Sequence, residues 1–290
     1  MLLFIIKVNF LLTDDCGERS TAGYNVYDKL AGLSNGQVFN IQKDGIEKVL
    51  MSLRNILKDS YATTRQKRSL VPGKSEMPFF VDSSMSSIDI RLSGETPKLI
   101  IKNPLNQTVT GDDLTLENVK IVNIENPMAG KWNVETESSS EYTVQMGSNS
   151  ELKIEYGFSS GTPKNHGETS VQPLKGKKTV LSVSISDPAK VNSLSEATLT
   201  VDSLEKDEVV ENEFQRKRRQ ATGVREIRLK LTKIGPNIYV TDSFVAPTDL
   251  FKVKLKGVDP SGNVIERLVS TAIESVEPSK FLFKYIEEIY

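Results

Sequence analysis

Apolar and polar positions along the chain follow three different rhythms. From Phe4 to Leu12 the apolar residues run almost unbroken, the pattern of a strand buried on both faces, and such strands normally lie inside parallel sheets. In TAGYNVYDKLAGLSNG, residues 21–36, Val26, Tyr27, Leu30, Ala31 and Leu33 recur at helical spacing, and Gly36 suits the left-handed position that closes a helix. GQVFNI then reads as a short strand, and KDGIEKVLMSLRNIL places Ile46, Val49, Leu50, Leu53, Ile56 and Leu57 on one helical face. Strand, helix, strand, helix is a βαβα unit, whose parallel strands need a right-handed crossover and helices over the sheet. Two strands alone would leave both sheet edges open, so the pattern predicts the closing part of a doubly wound α/β domain over residues 1–58.

The rhythm then changes. Residues 59–78 are polar and basic and are broken by Pro72 and Gly73, which predicts a linker. Beyond it the period is two. SSIDIRLSG, KLIIKNP, LTLENVKIVNIENP, KWNVETES, YTVQMGS and ELKIEYGF alternate and are separated by Gly, Pro, Asn and Ser, predicting a β-sandwich over residues 79–159. Within it, Pro127 and Gly130 build a turn that delivers Trp132 into the next strand, where its ring seals one end of the core. A second alternating set, from TVLSVSISD to DLFKVKLKGVDPSGNVIERLV, predicts an immunoglobulin-like or fibronectin-like sandwich over residues 160–273, with an atypical tail at 274–290. The expected architecture is therefore an α/β fragment followed by two all-β sandwich domains.

Charge and composition narrow the function. With Lys+Arg 37 against Asp+Glu 38, the 290-residue chain carries a net charge of −1, so no global field draws it to nucleic acid or anionic lipid. The single Cys16 has no intrachain disulfide partner, and the single His166 cannot build a multi-histidine metal site. No apolar run approaches the ~20 residues of a membrane span. MLLFII is interrupted by Lys7 and Asn9 and is followed by no small-residue cleavage site, so it is not a convincing signal peptide.

Stretches in three regions carry a resemblance. VNFLLTDDCGERSTAGYNVYDKLAGLSNGQVFNI, with its GYxVYxxxAxxSxGQVF pattern, resembles the closing portion of the von Willebrand factor A domain of the hemicentins. IKNPLNQ and ENPMAGKW resemble the galactose-binding-like sandwich that follows it in that family, and FVAP and LFKVKLKGVDPSGN resemble the domain after that. The resemblance covers most of residues 8–272. It implies a secreted, non-enzymatic matrix or cell-adhesion module whose partners are extracellular matrix or cell-surface proteins. It also implies a truncated chain, lacking the front of the A domain and the immunoglobulin repeats, with MLLFIIK and FLFKYIEEIY as edges of a partial gene. The family's metal-binding residues fall upstream of the matched part. Asp14 and Asp15 then correspond to the end of a later strand, solvated where the next helix's macrodipole favours carboxylates, and Cys16 would find its disulfide partner in the missing half.

Five short motifs need weighing beside that reading. Asp82, Ser84 and Ser86 match DxSxS and would make a metal-dependent adhesion site, but an alternating strand follows where a helix should. GFSSG centres a GxSxG on Ser159, the signature of a serine hydrolase, but loop composition follows it and His166 has no evident carboxylate to orient it. No metal, cofactor or catalytic residue is therefore assigned. Two basic runs, Arg65, Lys67 and Arg68 in RQKRS and Arg216, Lys217, Arg218 and Arg219 in RKRRQ, fit convertase cleavage or contact with a sulfated glycosaminoglycan, against the plainer reading of solvated loops. NQT at Asn106 is an N-glycosylation sequon between two expected strands.

Overall fold

The computed structural model describes residues 7–13, 22–53, 61–69, 72–202, 225–269 and 271–277. Strand β1 (Phe10–Thr13), helix α1 (Ala22–Leu33), strand β2 (Val38–Ile41) and helix α2 (Ile46–Ser52) follow one another in the expected order. β1 and β2 pair in parallel, Phe10 beside Val38. The expected α/β domain is nevertheless overturned. The pair is a two-stranded sheet of its own, 54 % of the chain is strand and 12 % helix, and no doubly wound sheet is present among the described residues. What covers the parallel pair on one side is β structure, as follows.

Nine strands build the middle of the chain: β3 (Tyr61–Ser69), β4 (Gly73–Val81), β5 (Met85–Ser93), β6 (Lys98–Lys102), β7 (Thr108–Val109), β8 (Asp112–Thr115), β9 (Val119–Glu125), β10 (Gly130–Ser138) and β11 (Tyr142–Ser150). They form two sheets, ordered β4-β10-β6-β7 and β3-β11-β5-β9-β8. Phe79, Val81, Trp132 and Val134 from the first meet Ile88, Ile90, Leu92, Val144 and Met146 from the second in one apolar core. Trp132 is buried there beside Phe79, ring centroids 5.9 Å apart, so its ring is closed to a ligand. The polar stretch 59–78 supplies β3 and β4, because strand pairing with β11 and β10 satisfies its backbone.

Strand β5, inside the five-stranded sheet, is buried on both faces. Its inner face carries Ile88, Ile90 and Leu92, while Asp89, Arg91 and Ser93 on the outer face are also shielded from water. Val119 and Ile121 of β9 point outward and pack with Phe39, Ile41, Val49 and Leu53 of the N-terminal unit. Polar side chains stitch the rest: Ser93 Oγ donates to the Val38 carbonyl at 2.6 Å, and Gln37 Nε2 to that of Thr143 at 3.2 Å. Lys7 lies against the same face, where burial first and then repulsion from Arg91 push its ammonium down to about 8, with Asp89 opposing.

Of the positions expected at helical spacing in α1, Ala31 is buried, and Tyr24 joins it in place of Val26 and Leu30. Tyr24 and Ala31 are buried against Val38, seven residues apart along one stripe, while Val26 and Leu30 are about half exposed at 53 % and 48 %. The left-handed position after the helix is taken by Asn35, φ 56°, rather than by Gly36. Gly36 is needed for another reason: a Cβ there would stand 1.9 Å from the Val8 carbonyl oxygen, so only glycine lets the chain pass.

The remaining strands are β12 (Ile154–Ser159), β13 (Lys178–Ile185), β14 (Ser193–Asp202), β15 (Arg225–Lys233), β16 (Ile238–Thr241), β17 (Phe244–Val245), β18 (Leu250–Val258) and β19 (Val264–Leu268). Their sheet runs β12-β13-β16-β15-β14-β18-β19, with β17 paired to β13. β15 pairs with β14 through Lys230 and with β16 from Leu231, so it passes from one half of the sheet to the other. Both halves feed one core, in which Phe158 stands edge-on to Phe251 at 6.0 Å.

Candidate functional site

The most elaborate polar constellation lies where the two β units meet. The turn between β4 and β5 contains Asp82, Ser83 and Ser84, and strand β19 brings Arg267 onto it. Asp82 and Arg267 are 1 % and 2 % exposed, so this is an ion pair withdrawn from water. Arg267 Nη1 donates to Asp82 Oδ2 at 2.6 Å and to the Glu266 carbonyl at 3.1 Å. Nη2 donates at 3.1 Å to Ser84 Oγ and to Ser150 Oγ. Asp82 Oδ1 accepts from the Ser84 amide at 3.0 Å and from Ser84 Oγ at 2.5 Å. The Ser84 proton is thereby committed, so in the 2.8 Å contact between the two hydroxyls Ser150 is the donor. The network thus engages both carboxylate oxygens and both terminal guanidinium nitrogens, leaving the buried Nε–H of Arg267 without a partner, and this shared bonding is what makes burying two charges tolerable.

A second carboxylate grips the same turn. Asp259 Oδ2 accepts from the Ser83 amide at 3.0 Å, while Oδ1 accepts from Ser261 and Asn263 amides at 2.9 and 2.8 Å and so closes its own hairpin loop. Burial works against its charge, but the hydrogen bonds from Asn263 and Ser83 prevail and hold the carboxyl below its usual range. The DPSGN loop that joins β18 to β19 is therefore also half of a joint.

A third contact ties in the N-terminal unit. Lys252 Nζ donates to the Gly32 carbonyl and, at 2.7 Å, to Asn35 Oδ1, placing an ammonium at the C-terminal end of α1 where the macrodipole favours a cation. The Ala272 amide donates to the Leu33 carbonyl at 2.8 Å nearby.

This geometry decides the motifs. The DxSxS at Asp82 does not fit a metal: Arg267 holds the carboxylate and a serine hydroxyl from the position a cation would need, and Ser86 is exposed and turned to the Asn149 carbonyl at 3.3 Å. Among the described residues no three of His, Cys, Asp and Glu cluster as metal ligands. The GxSxG at Ser159 has no nucleophile elbow. Ser159 ends β12, its hydroxyl donates to the Gly161 carbonyl at 2.6 Å, and a turn rather than a helix follows. His166 faces Glu155 at 3.7 Å, four residues back along the strand and ~13 Å from Ser159. Gly157 is explained by packing, since a Cβ would meet Thr169 Oγ1 at 2.0 Å.

The other sequence candidates are dispersed. Arg65, Lys67 and Arg68 lie in β3, paired residue by residue with Met146, Val144 and Thr143. Arg216, Lys217, Arg218 and Arg219 lie outside the described residues, as do Asp14, Asp15 and Cys16. Asn106 is exposed at the crest of the turn between β6 and β7. Sequence reasoning missed Arg267 and Asp259; a charged residue inside the alternating VIERL is the one signal that could have pointed to Arg267.

Two sheets that face one apolar core and are locked to further β structure define the class as a β-sandwich domain. Residues 63–151 match the family described as hemicentin galactose-binding domain-like. The chain is 27 % identical over 281 residues to hemicentin-1 of Mus musculus and, equally, to hemicentin-1 of Homo sapiens, in each case over 94 % of this chain and 5 % of the relative. Hemicentin-2 of Mus musculus is 28 % identical over 134 residues, 44 % of this chain and 3 % of the relative. The chain thus spans about a twentieth of the length of the curated relatives it matches. A DUF4785 family protein from Legionella pneumophila aligns at TM-score 0.41 and 15 % identity over 76 % of this chain and 64 % of its own, too distant to bear on function. No helix among the described residues is long and apolar enough to cross a membrane.

Proposed function

We propose that the chain is a non-enzymatic spacer and adhesion module of the extracellular matrix, similar to a segment of the hemicentins. The observation that carries this reading is the match of residues 63–151 to the hemicentin galactose-binding-like family, together with the 27 % identity to hemicentin-1 along most of the chain. The joint at Asp82 and Arg267 supports the spacer half: an adhesive surface on a fixed frame loses less conformational entropy when it binds. Its partners are matrix or cell-surface proteins, engaged through surface patches without bond making. The chain added to cultured cells that deposit a matrix is expected to be retained in that matrix after a physiological-salt wash. Full recovery in the medium overturns the reading, and covalent labelling of Ser159 by a fluorophosphonate would overturn its non-enzymatic part.

The basic runs give this reading a second contact. The arginines and lysines of RQKRS and RKRRQ carry guanidinium and ammonium groups suited to sulfate. Retention on heparin that falls when Arg216, Lys217, Arg218 and Arg219 are replaced by Ser would assign the contact to that run; unchanged retention excludes it. Convertase cleavage after Arg68 needs β3 to leave its ladder with β11, so the folded chain is expected to resist it there.

A further inference from the structure

Two turns at one end of the first sandwich leave large apolar side chains in water. Residues 103–107 join β6 to β7, and residues 126–129 join β9 to β10. Each begins Asn-Pro and then presents an apolar residue: Leu105, 63 % exposed, and Met128, 48 % exposed. The turns touch, since a Cβ on Gly130, whose φ is +136°, would lie 2.9 Å from Pro104 Cγ. Both are held rigidly. Asn103 Oδ1 accepts from the Leu105 and Gln107 amides at 3.0 Å each, its Nδ2 donates to Gln107 Oε1 at 3.0 Å, and Trp132 Nε1 donates to the Met128 carbonyl at 2.8 Å. Neither side chain can therefore withdraw by a simple collapse of its turn.

The sequence provides a cover within the same turn. Asn106 follows Leu105, is exposed, and stands at φ 60°, a left-handed conformation that asparagine tolerates at a turn crest. Thr108, the third residue of the sequon, is exposed at the start of β7. We propose that Asn106 carries an N-linked glycan whose first sugars lie over Leu105 and Met128, shielding this apolar end of the sandwich. The transfer joins Asn106 Nδ2 to the anomeric carbon of an oligosaccharide carried on a polyprenyl diphosphate. The bond from that carbon to the diphosphate oxygen breaks, polyprenyl diphosphate leaves with the electron pair, and the amide gives one proton to the transferase. The glycan is bulky and solubilising and needs an exposed site, which this turn offers. Occupancy in the natural protein rests on the extracellular reading above.

The test uses the full chain behind an added cleavable secretion leader in mammalian cells, so that entry into the lumen does not depend on its own targeting. Peptide:N-glycosidase is expected to convert Asn106 to Asp, with a matching loss of mass; Thr108→Ala abolishes the modification and Thr108→Ser retains it. The glycosidase-treated chain and Thr108→Ala, both folded by circular dichroism, are expected to bind an apolar dye several-fold more than the glycosylated chain. Adding Leu105→Ser and Met128→Ser should remove that excess. A secreted chain with unmodified Asn106 overturns the site, and a glycan whose removal leaves dye binding unchanged overturns the shielding. Failure of the extracellular reading would look different: the leader-directed chain is glycosylated while the natural protein is found outside the secretory pathway.

Discussion

The middle sandwich meets its neighbours along two seams of opposite character. Toward the N-terminal unit the seam is built on an apolar cluster, Phe39, Ile41, Val49 and Leu53 on Val119 and Ile121, flanked by single hydrogen bonds such as Ser93 to Val38. Toward the last β unit its centre is polar, a buried ion pair between Asp82 and Arg267 backed by two serines and Asp259. Burying an aliphatic or phenyl side chain contributes roughly 1.5–3 kcal/mol and asks for little directional precision. The ion pair gives little net stability, because desolvation offsets most of its attraction, but only one geometry satisfies its forked donors. The apolar seam therefore holds, and the polar seam orients.

That contrast can be broken by mutation. Removing one partner of the polar seam, Arg267→Ala, leaves Asp82 charged and unpaired in a dry site and is expected to lower the unfolding free energy by about 3–5 kcal/mol in denaturant titration. Phe39→Ala, at a fully buried position, is expected to cost a similar ~3–5 kcal/mol. The seams separate when both polar partners are replaced: Asp82→Leu with Arg267→Met should be far less destabilising than Arg267→Ala, since no charge is left stranded. A double replacement as costly as the single one would contradict the division of labour. Acid sharpens the picture. The folded carboxyl of Asp259 is held below its unfolded value, so its stabilisation is present at neutral pH and is lost as pH falls through the folded value. Asp259→Asn is expected to flatten that acid limb of the stability profile.

Smaller effects follow. Lys7, with its folded value near 8 and an ordinary value of 10.5, binds fewer protons in the folded chain between those pH values, so stability should rise with pH across that window. Lys7→Met is expected to remove the slope. Smallest of all, Val26→Lys with Leu30→Lys on the outer face of α1 should change stability by only about 0.5 kcal/mol, because those side chains already face water.

Legibility in the sequence followed how local each cause was. The strands of the middle sandwich show in their alternation, because Ile88, Ile90 and Leu92 face one core at period two. The doubly wound sheet did not follow from the strand–helix order, because apolar strands can be covered by a neighbouring sheet as well as by more parallel strands. A hint of that cover stands in VKIVNI, where both faces carry apolar residues: Val119 and Ile121 on one, Val122 and Ile124 on the other. The face that α1 buries was read only in part: Ala31 was among the expected positions, but Val26 and Leu30 outweigh Tyr24 in apolar character, and it is Tyr24 that packs with Ala31 against Val38. The polar joint was the least legible. Asp82 and Arg267 are 185 residues apart, and nothing in either neighbourhood names the other.

The central claim is that Arg267 and Asp82 fix the orientation of the two β units. Spin labels at Lys131→Cys and Lys233→Cys, in a Cys16→Ser background, report the distance distribution between them by pulsed electron resonance. A single narrow distribution that broadens severalfold in the Asp82→Leu, Arg267→Met chain, with both β units still folded, is the predicted result. An equally narrow distribution in that variant would contradict the account.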